Sequence, residues 1–279
     1  MDFSTLTYET DGRIARITFN QPERLNAIGP ERPGEIRKAV ELANADDGVH
    51  VIVLAGKGRA FCAGYDLKHF AERTATNNLT QDMPWEPMED YRVMHQYTED
   101  IMSLWRSLKP VVCKVQGYAV AGGSDIALAC DMVVMADDAR IGYPPVRVWG
   151  CPTTAMWVYR LGPEKAKRML FTGDLITGKE AAAMGLVLES VPPEELDARV
   201  EALAQRMAGV PRTQLVLQKL VINQAVDAQG LQNTQMVATI MDGITRHSPA
   251  GTAFKRMAQE KGFHEAVRVR DSGEPIPQR

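Results

Sequence analysis

The sequence predicts an α/β fold that gives way to an all-helical region, and three observations carry that prediction. Short apolar runs with strand character recur in the first part of the chain. Segments with helical spacing separate them, and after about residue 195 the strand signals cease. Taking the elements in order, Ile14-Ala15-Arg16-Ile17-Thr18-Phe19 alternates as a half-buried strand should. Val51-Ile52-Val53-Leu54-Ala55, Val111-Val112-Cys113-Lys114-Val115 and Met132-Val133-Val134-Met135-Ala136 are mostly apolar, as strands covered on both faces are. Ile36, Ala39, Val40 and Ala43 mark one helix between strands, and Ile101, Leu104, Trp105 and Leu108 mark another that stops at Lys109-Pro110. Leu196 to Ala208, Thr213 to Ala225, Leu231 to Ile244 and Ala250 to Lys261 each read as a helix. The stretch from Arg73 to Glu89, with Asn77, Asn78, Pro84 and Pro87, reads as a loop beside a functional turn, and the tail after Asp271 as a frayed end.

Length and composition narrow the function. A chain of 279 residues, 45% apolar and 24% charged, buries a sizeable core as one large domain or a domain with an appendage. A net charge of -3 argues against nucleic acid or an anionic membrane as a broad electrostatic partner. Cys62, Cys113, Cys130 and Cys151 have no zinc-ligand spacing, so reduced, buried thiols and no metal site are expected. The N-terminus lacks the basic-then-apolar pattern of a leader, and no apolar run approaches the ~20 residues that span a bilayer. A cytoplasmic enzyme acting on a small molecule is the expectation.

Two glycine-bearing turns point to the chemistry. Phe61-Cys62-Ala63-Gly64-Tyr65-Asp66-Leu67 and Gly117-Tyr118-Ala119-Val120-Ala121-Gly122-Gly123-Ser124-Asp125 each follow a strand-like run and lead into a helix-like one. Such turns leave backbone N–H groups free, and two of them aimed at one point would hold an oxygen that gains negative charge during reaction. Tight turns that need glycine only for its positive φ are the alternative.

These blocks also resemble the crotonase (enoyl-CoA hydratase/isomerase) superfamily. The resemblance runs through Ile17-Thr18-Phe19-Asn20-Gln21-Pro22-Glu23 with Asn26-Ala27, then the two glycine turns, Cys130-Asp131-Met132, Leu170-Phe171-Thr172-Gly173 and Ala182-Ala183-Met184-Gly185-Leu186-Val187. It covers roughly residues 5 to 265 in the family's order. It implies a spiral of ββα units over 1–195 as the acyl-CoA-binding catalytic core. Residues 196–279 would form a helical trimerisation region able to complete a neighbouring active site, giving a homotrimer or a dimer of trimers. No prosthetic group is implied; the substrate would be carried as a coenzyme A thioester.

The same resemblance assigns roles residue by residue. The N–H groups of Tyr65 and Gly122 would polarise the thioester carbonyl. Asp125 stands where family hydratases carry a glutamate, leaving a carboxylate as acid or base that is one methylene shorter; an Asp there can also satisfy backbone donors at a helix start. The second glutamate of two-carboxylate hydratases falls at Pro145, which exchanges no proton, and no carboxylate lies between Asp138 and Glu164. Tyr143, Arg147 and Trp149 flank that vacancy. Ala27 and Ala63, with Asp66 and Leu67 nearby, would contact coenzyme A. Its phosphates would meet Arg24, Lys57 and Lys68, together with Lys255 or Lys261 beside Phe254 of the C-terminal helices. Met83, Trp85, Met88, Trp149 and Trp157 are candidate acyl-pocket walls, and His69 and His247 are the histidines nearest the motifs. Hydration, dehydration or a double-bond shift is the leading expectation; carbon–carbon bond hydrolysis and acyl-CoA binding without turnover are the alternatives.

Overall fold

Each strand-like run of the sequence becomes a parallel strand, and each intervening segment carries the chain back across the sheet. The computed structural model describes residues 3–72, 79–274 and 276. A hairpin of Leu6–Asp11 (β1) and Ile14–Phe19 (β2) opens the chain, and helix α1 (Arg32–Ala45) leads to β3 (Val51–Gly56). Helix α2 (Pro87–Arg106) precedes β4 (Val111–Val115), then β5 (Tyr118–Val120), α3 (Gly122–Leu128), β6 (Met132–Ala136) and β7 (Arg140–Gly142) follow. Next come α4 (Met156–Thr172), β8 (Leu175–Thr177), α5 (Gly178–Met184) and β9 (Glu189–Val191). Helices α6 (Leu196–Ala208), α7 (Arg212–Asp227), α8 (Leu231–His247), α9 (Pro249–Lys261) and α10 (Phe263–Ser272) complete the described chain.

The strands form one sheet in the order β1-β2-β3-β4-β6-β9 and a second in the order β5-β7-β8. Only β1 runs antiparallel in the larger sheet. All six residues of β3 are buried, which is why that run shows no polar alternation. The apolar face of α1 (Ile36, Ala39, Val40, Ala43) and that of α2 (Ile101, Leu104, Trp105) enter the same core. So do Leu196, Val200, Ala204 and Ala208 of α6, which packs on the sheet.

The four strands and the helices expected from periodicity are present, with ends shifted by a few residues. The sequence reading missed β1, β9, the three-stranded sheet and α10, all short or weakly apolar, and it also missed the helices α4 and α5. His69, expected at the start of a helix, lies instead on a five-residue π-helical turn, Lys68–Glu72. The stretch expected as a loop ends early, because Pro87 opens α2; Asn77 and Asn78 lie outside the described residues. Among the described residues, no helix is long and apolar enough to cross a membrane.

Candidate active site

The site begins with the way the two glycine turns are sewn together. Cys62 N–H donates to Tyr118 O (2.9 Å) and Val120 N–H returns to Cys62 O (3.0 Å), so the first turn runs beside β5. On its other side, Ile28 N–H donates to Gly64 O (2.8 Å) and Asp66 N–H to Ile28 O (3.0 Å). Asn26 makes the entry to this arrangement. It is fully buried in a left-handed conformation (φ 54°), accepts from Gln21 N–H, and donates to Lys57 O and Ala60 O (each 2.9 Å). The sequence motif contains Asn26, but only the structure gives it this positioning role.

Between Gly64 and Asp66, the two residues bonded to Ile28, the chain leaves one N–H pointing elsewhere. Tyr65 N–H has no acceptor among the described residues, and neither has Gly122 N–H. The turns approach so closely that a Cβ on Gly64 would lie 3.5 Å from Gly122 N and 2.8 Å from Val120 O. Gly64 has φ +92°, which also favours glycine. The residue before Gly122, Ala121, is held at φ 53° and ψ -126°. A side-chain-bearing residue there costs on the order of 1–3 kcal/mol, and such outliers concentrate at functional sites.

The turns border a cavity of about 220 Å³. Ala63, Tyr65, Val120, Ala121, Tyr143 and Pro145 line one side; Leu67, Phe70, Leu79, Met94, Trp149, Phe254 and Val267 supply apolar wall; Asp242, Arg246 and Arg270 add charge. Of the five proposed wall residues, only Trp149 lines it. Met83 and Met88 are exposed, Trp157 is fully buried in the main core, and Trp85 stacks on His247 (4.5 Å between ring centroids). The flank around Pro145 divides similarly. Tyr143 and Trp149 face the cavity, whereas Arg147 turns away to Thr172 O and Asp271, each at 2.9 Å.

Asp125 sits behind the cavity wall, 3% exposed, and accepts from Thr154 Oγ1 at 2.8 Å. Burial pushes its carboxyl well above the usual carboxylate range; the Thr154 bond opposes the rise and the charge of Asp242 reinforces it. The Tyr65 and Tyr143 hydroxyls are likewise pushed up, first by burial and then by Asp125 and Asp242, so both stay protonated. Cys151 is held as a thiol, pushed up to about 12 by burial and then by Asp242 and Asp125, which removes it as a thiolate nucleophile. The described residues contain no group of three His, Cys, Asp or Glu side chains placed to hold a metal ion.

Sequence reasoning missed the most polar part of this cavity, on α8. Asp242 is 3% exposed; its Oδ1 accepts from Cys151 N–H (2.8 Å) and its Oδ2 from Arg246 Nε (2.9 Å). Arg246 in turn grips both oxygens of Asp90 (2.7 and 3.1 Å). Gly243 makes the grip possible, because a Cβ there would collide with the Asp90 carboxylate. In the sequence Gln235, Thr239, Asp242 and Arg246 form a polar stripe of the kind a solvated helix face carries, and the structure buries all four.

The candidate coenzyme A residues fall into two groups. Ala27, Ala63, Asp66 and Leu67 cluster at the first turn. The carbonyl oxygens of Ala27 and Ala63 accept no bond among the described residues, and Arg24 pairs with Asp66. Lys255 and Lys261 lie apart on α9. Lys255 binds Thr80 O and Asp82 (2.9 Å), while Lys261 is exposed. Phe254, Val267 and Arg270 reach the cavity of their own chain, so the C-terminal helices complete the pocket from which they extend.

Comparison with known proteins matches this geometry to one family. The enoyl-CoA hydratase/isomerase family model matches residues 9–262. A crystal structure of an enoyl-CoA hydratase from Mycobacterium smegmatis superposes with a TM-score of 0.91 at 48% identity, covering 100% of this chain and 97% of that one. An enoyl-CoA hydratase/isomerase from Xanthobacter autotrophicus Py2 superposes with a TM-score of 0.89 at 30% identity, over 98% and 100% of the two chains. In sequence, the chain is 30% identical over 207 residues to the (E)-benzylidenesuccinyl-CoA hydratase of Thauera aromatica, covering 73% of this chain and 76% of the relative.

Proposed function

Because the chain belongs to the enoyl-CoA hydratase/isomerase family of enzymes, we propose that it adds water to an enoyl-CoA thioester, removes it, or shifts its double bond. The observation that carries this reading is the pair of acceptor-free N–H groups, Tyr65 and Gly122, on two closely packed turns that border an apolar cavity. A thioester carbonyl placed between them would gain negative charge as the enolate-like state forms, and the two donors would receive it. One such donor is worth ~3 kcal/mol of barrier.

Asp125 carries a proton in this scheme. Its carboxyl lies behind the lining residues, so it reaches the reacting carbons through one intervening water, a distance acid–base catalysis tolerates. Ala27 and Ala63 offer carbonyls to coenzyme A, with Asp66 and Leu67 beside them and Arg24 paired with Asp66. Lys255 serves the phosphates only if its Asp82 pair opens, whereas Lys261 is exposed and available. Exposed apolar residues on α7 and α8, including Leu220, Val221, Val237 and Ile240, support a trimer or dimer of trimers.

The test is a panel of enoyl-CoA thioesters, short, long and aryl-substituted, followed by loss of the enoyl absorbance. Turnover of at least one, reduced about a hundredfold or more in Asp125→Asn, is expected; absence of turnover across the panel refutes the reading. Carbon–carbon bond hydrolysis by the same oxyanion hole is the second reading, favoured by Pro145 in the wall where a second glutamate is absent. Release of a carboxylate from a β-diketone thioester would identify it.

A further inference from the structure

Resting on the proposed hydratase reading, we propose that Asp242 of α8 is the second catalytic carboxylate of this site, accepting the proton of the water that attacks the enoyl β-carbon. Pro145 leaves this wall without a second glutamate. The segment around Pro145 supplies cavity wall and the Tyr143 hydroxyl, which burial holds too weakly acidic to serve as a base, but no carboxylate, and Asp125 is not among the lining residues. Asp242 is the carboxylate that lines the cavity among the described residues.

Its position is built. The loop that follows Pro145 is stapled to α8 at three points: Gly150 N–H to Thr245 Oγ1 (3.1 Å), Cys151 N–H to Asp242 Oδ1 (2.8 Å), and Gln235 Nε2 to Thr154 O (3.0 Å). The last staple holds the residue that binds Asp125, so α8 sets both carboxyl groups at once. Arg246 fixes the other Asp242 oxygen, and Asp90 and Leu79 O fix Arg246. Burial first, and the Asp242 carboxylate after it, raise the affinity of Asp125 and Tyr143 for protons.

The roles then separate. The buried, protonated Asp125 is the acid, and Asp242, an acceptor of N–H donors on both oxygens, is the base. As water adds, its O–H bond breaks and the proton goes to Asp242. The oxygen bonds to the β-carbon, and the π electrons move towards the carbonyl held by Tyr65 and Gly122. The α-carbon then takes a proton from the intervening water, which is resupplied by Asp125; as product leaves, solvent entering the cavity carries the Asp242 proton back to Asp125. The net change is addition of one water.

Asp242→Asn tests this, with Asp125→Asn and the unmodified enzyme measured beside it on the best substrate of the panel. A fall in kcat of about a hundredfold or more is expected, with acyl-CoA affinity held within a few-fold. If Asp125→Asn loses about a hundredfold or more while Asp242→Asn keeps kcat within about twofold, the assignment is overturned and the hydratase reading stands. If the unmodified enzyme hydrates nothing, both fall. Should Asp242→Asn not fold, a structure of the unmodified enzyme with a 3-hydroxyacyl-CoA decides. The 3-hydroxyl within about 3.2 Å of an Asp242 oxygen, directly or through one water, supports the role; a hydroxyl facing the opposite wall overturns it.

Discussion

Replacing Asp125 by asparagine should change how stability depends on pH as well as how fast the enzyme works. The native carboxyl is held well above the usual range, chiefly by burial, so the folded protein keeps a proton that the unfolded chain releases. The slope of unfolding free energy with pH is 2.303RT times the protons bound unfolded minus those bound folded. For this group that is zero minus one, or about -1.4 kcal/mol for each pH unit. The raised native value makes the sign negative. Stability is lost as pH rises from the unfolded carboxylate range and levels once the native value is passed. The asparagine amide of the variant binds no proton in either state, and its oxygen can still accept from Thr154. Groups that do not touch Asp125 cancel when the two proteins are subtracted, and Tyr65, Tyr143 and Cys151, which Asp125 perturbs, ionise far above the carboxylate range where the difference begins.

Urea unfolding of both proteins, at fixed protein concentration across a series of pH values, measures that difference. The asparagine variant should gain on the unmodified protein by about 1.4 kcal/mol per pH unit within the window. Its kcat should fall by about a hundredfold to ten-thousandfold. Parallel stability curves would show that Asp125 titrates alike in both states and would remove the argument that it enters catalysis protonated.

Other changes test other parts of the site. Thr154→Val removes the hydrogen bond that lowers the Asp125 value; any limb of the pH–rate profile due to Asp125 should move to higher pH, and urea unfolding should report a cost of about 1–3 kcal/mol. Gly64→Ala places a methyl 2.8 Å from Ala121 Cβ and Val120 O at a φ of +92°; misaligning one oxyanion donor should cost about a hundredfold in kcat, seen in steady-state kinetics. Lys219 is buried and binds Asp131 (2.8 Å), Leu104 O and Lys109 O; Lys219→Met should destabilise by about 3–5 kcal/mol in urea while leaving the KM of the folded enzyme unchanged. Ile240→Glu on the outer face of α8 should shift light-scattering mass towards the monomer, and an unchanged mass would place the subunit contact elsewhere.

Much of the fold was legible because its strands are apolar throughout and its helices carry clean apolar stripes. Val51 to Gly56 shows this best, since covered parallel strands need no polar alternation. The three-stranded sheet was not legible, because Tyr118–Val120, Arg140–Gly142 and Leu175–Thr177 each have three residues, too few for a periodicity. Within the site, the turns were readable from glycine, whereas the strain at Ala121 was not, since alanine announces no positive φ. Asp242 escaped for a different reason. Its spacing to Arg246 is that of an ordinary solvated helix pair, and only the approach of α2 through Gly243 shows that the pair is buried.

The two faces of α8 explain why that helix matters beyond its length. Gln235, Thr239, Asp242 and Arg246 recur on one side, at the spacing that returns a helix to the same face, and all are buried against α2 and the loop after Pro145. Met236, Val237, Ile240, Met241 and Ile244 occupy the other side and are exposed. A helix with a polar inner face gains little from apolar burial on that side, so its position rests on hydrogen bonds with strict geometry. Covering the outer apolar face would supply the missing non-directional attraction and hold the inner hydrogen bonds in register. The same helix would then join subunit association to the placement of Asp242 and, through Gln235 and Thr154, of Asp125.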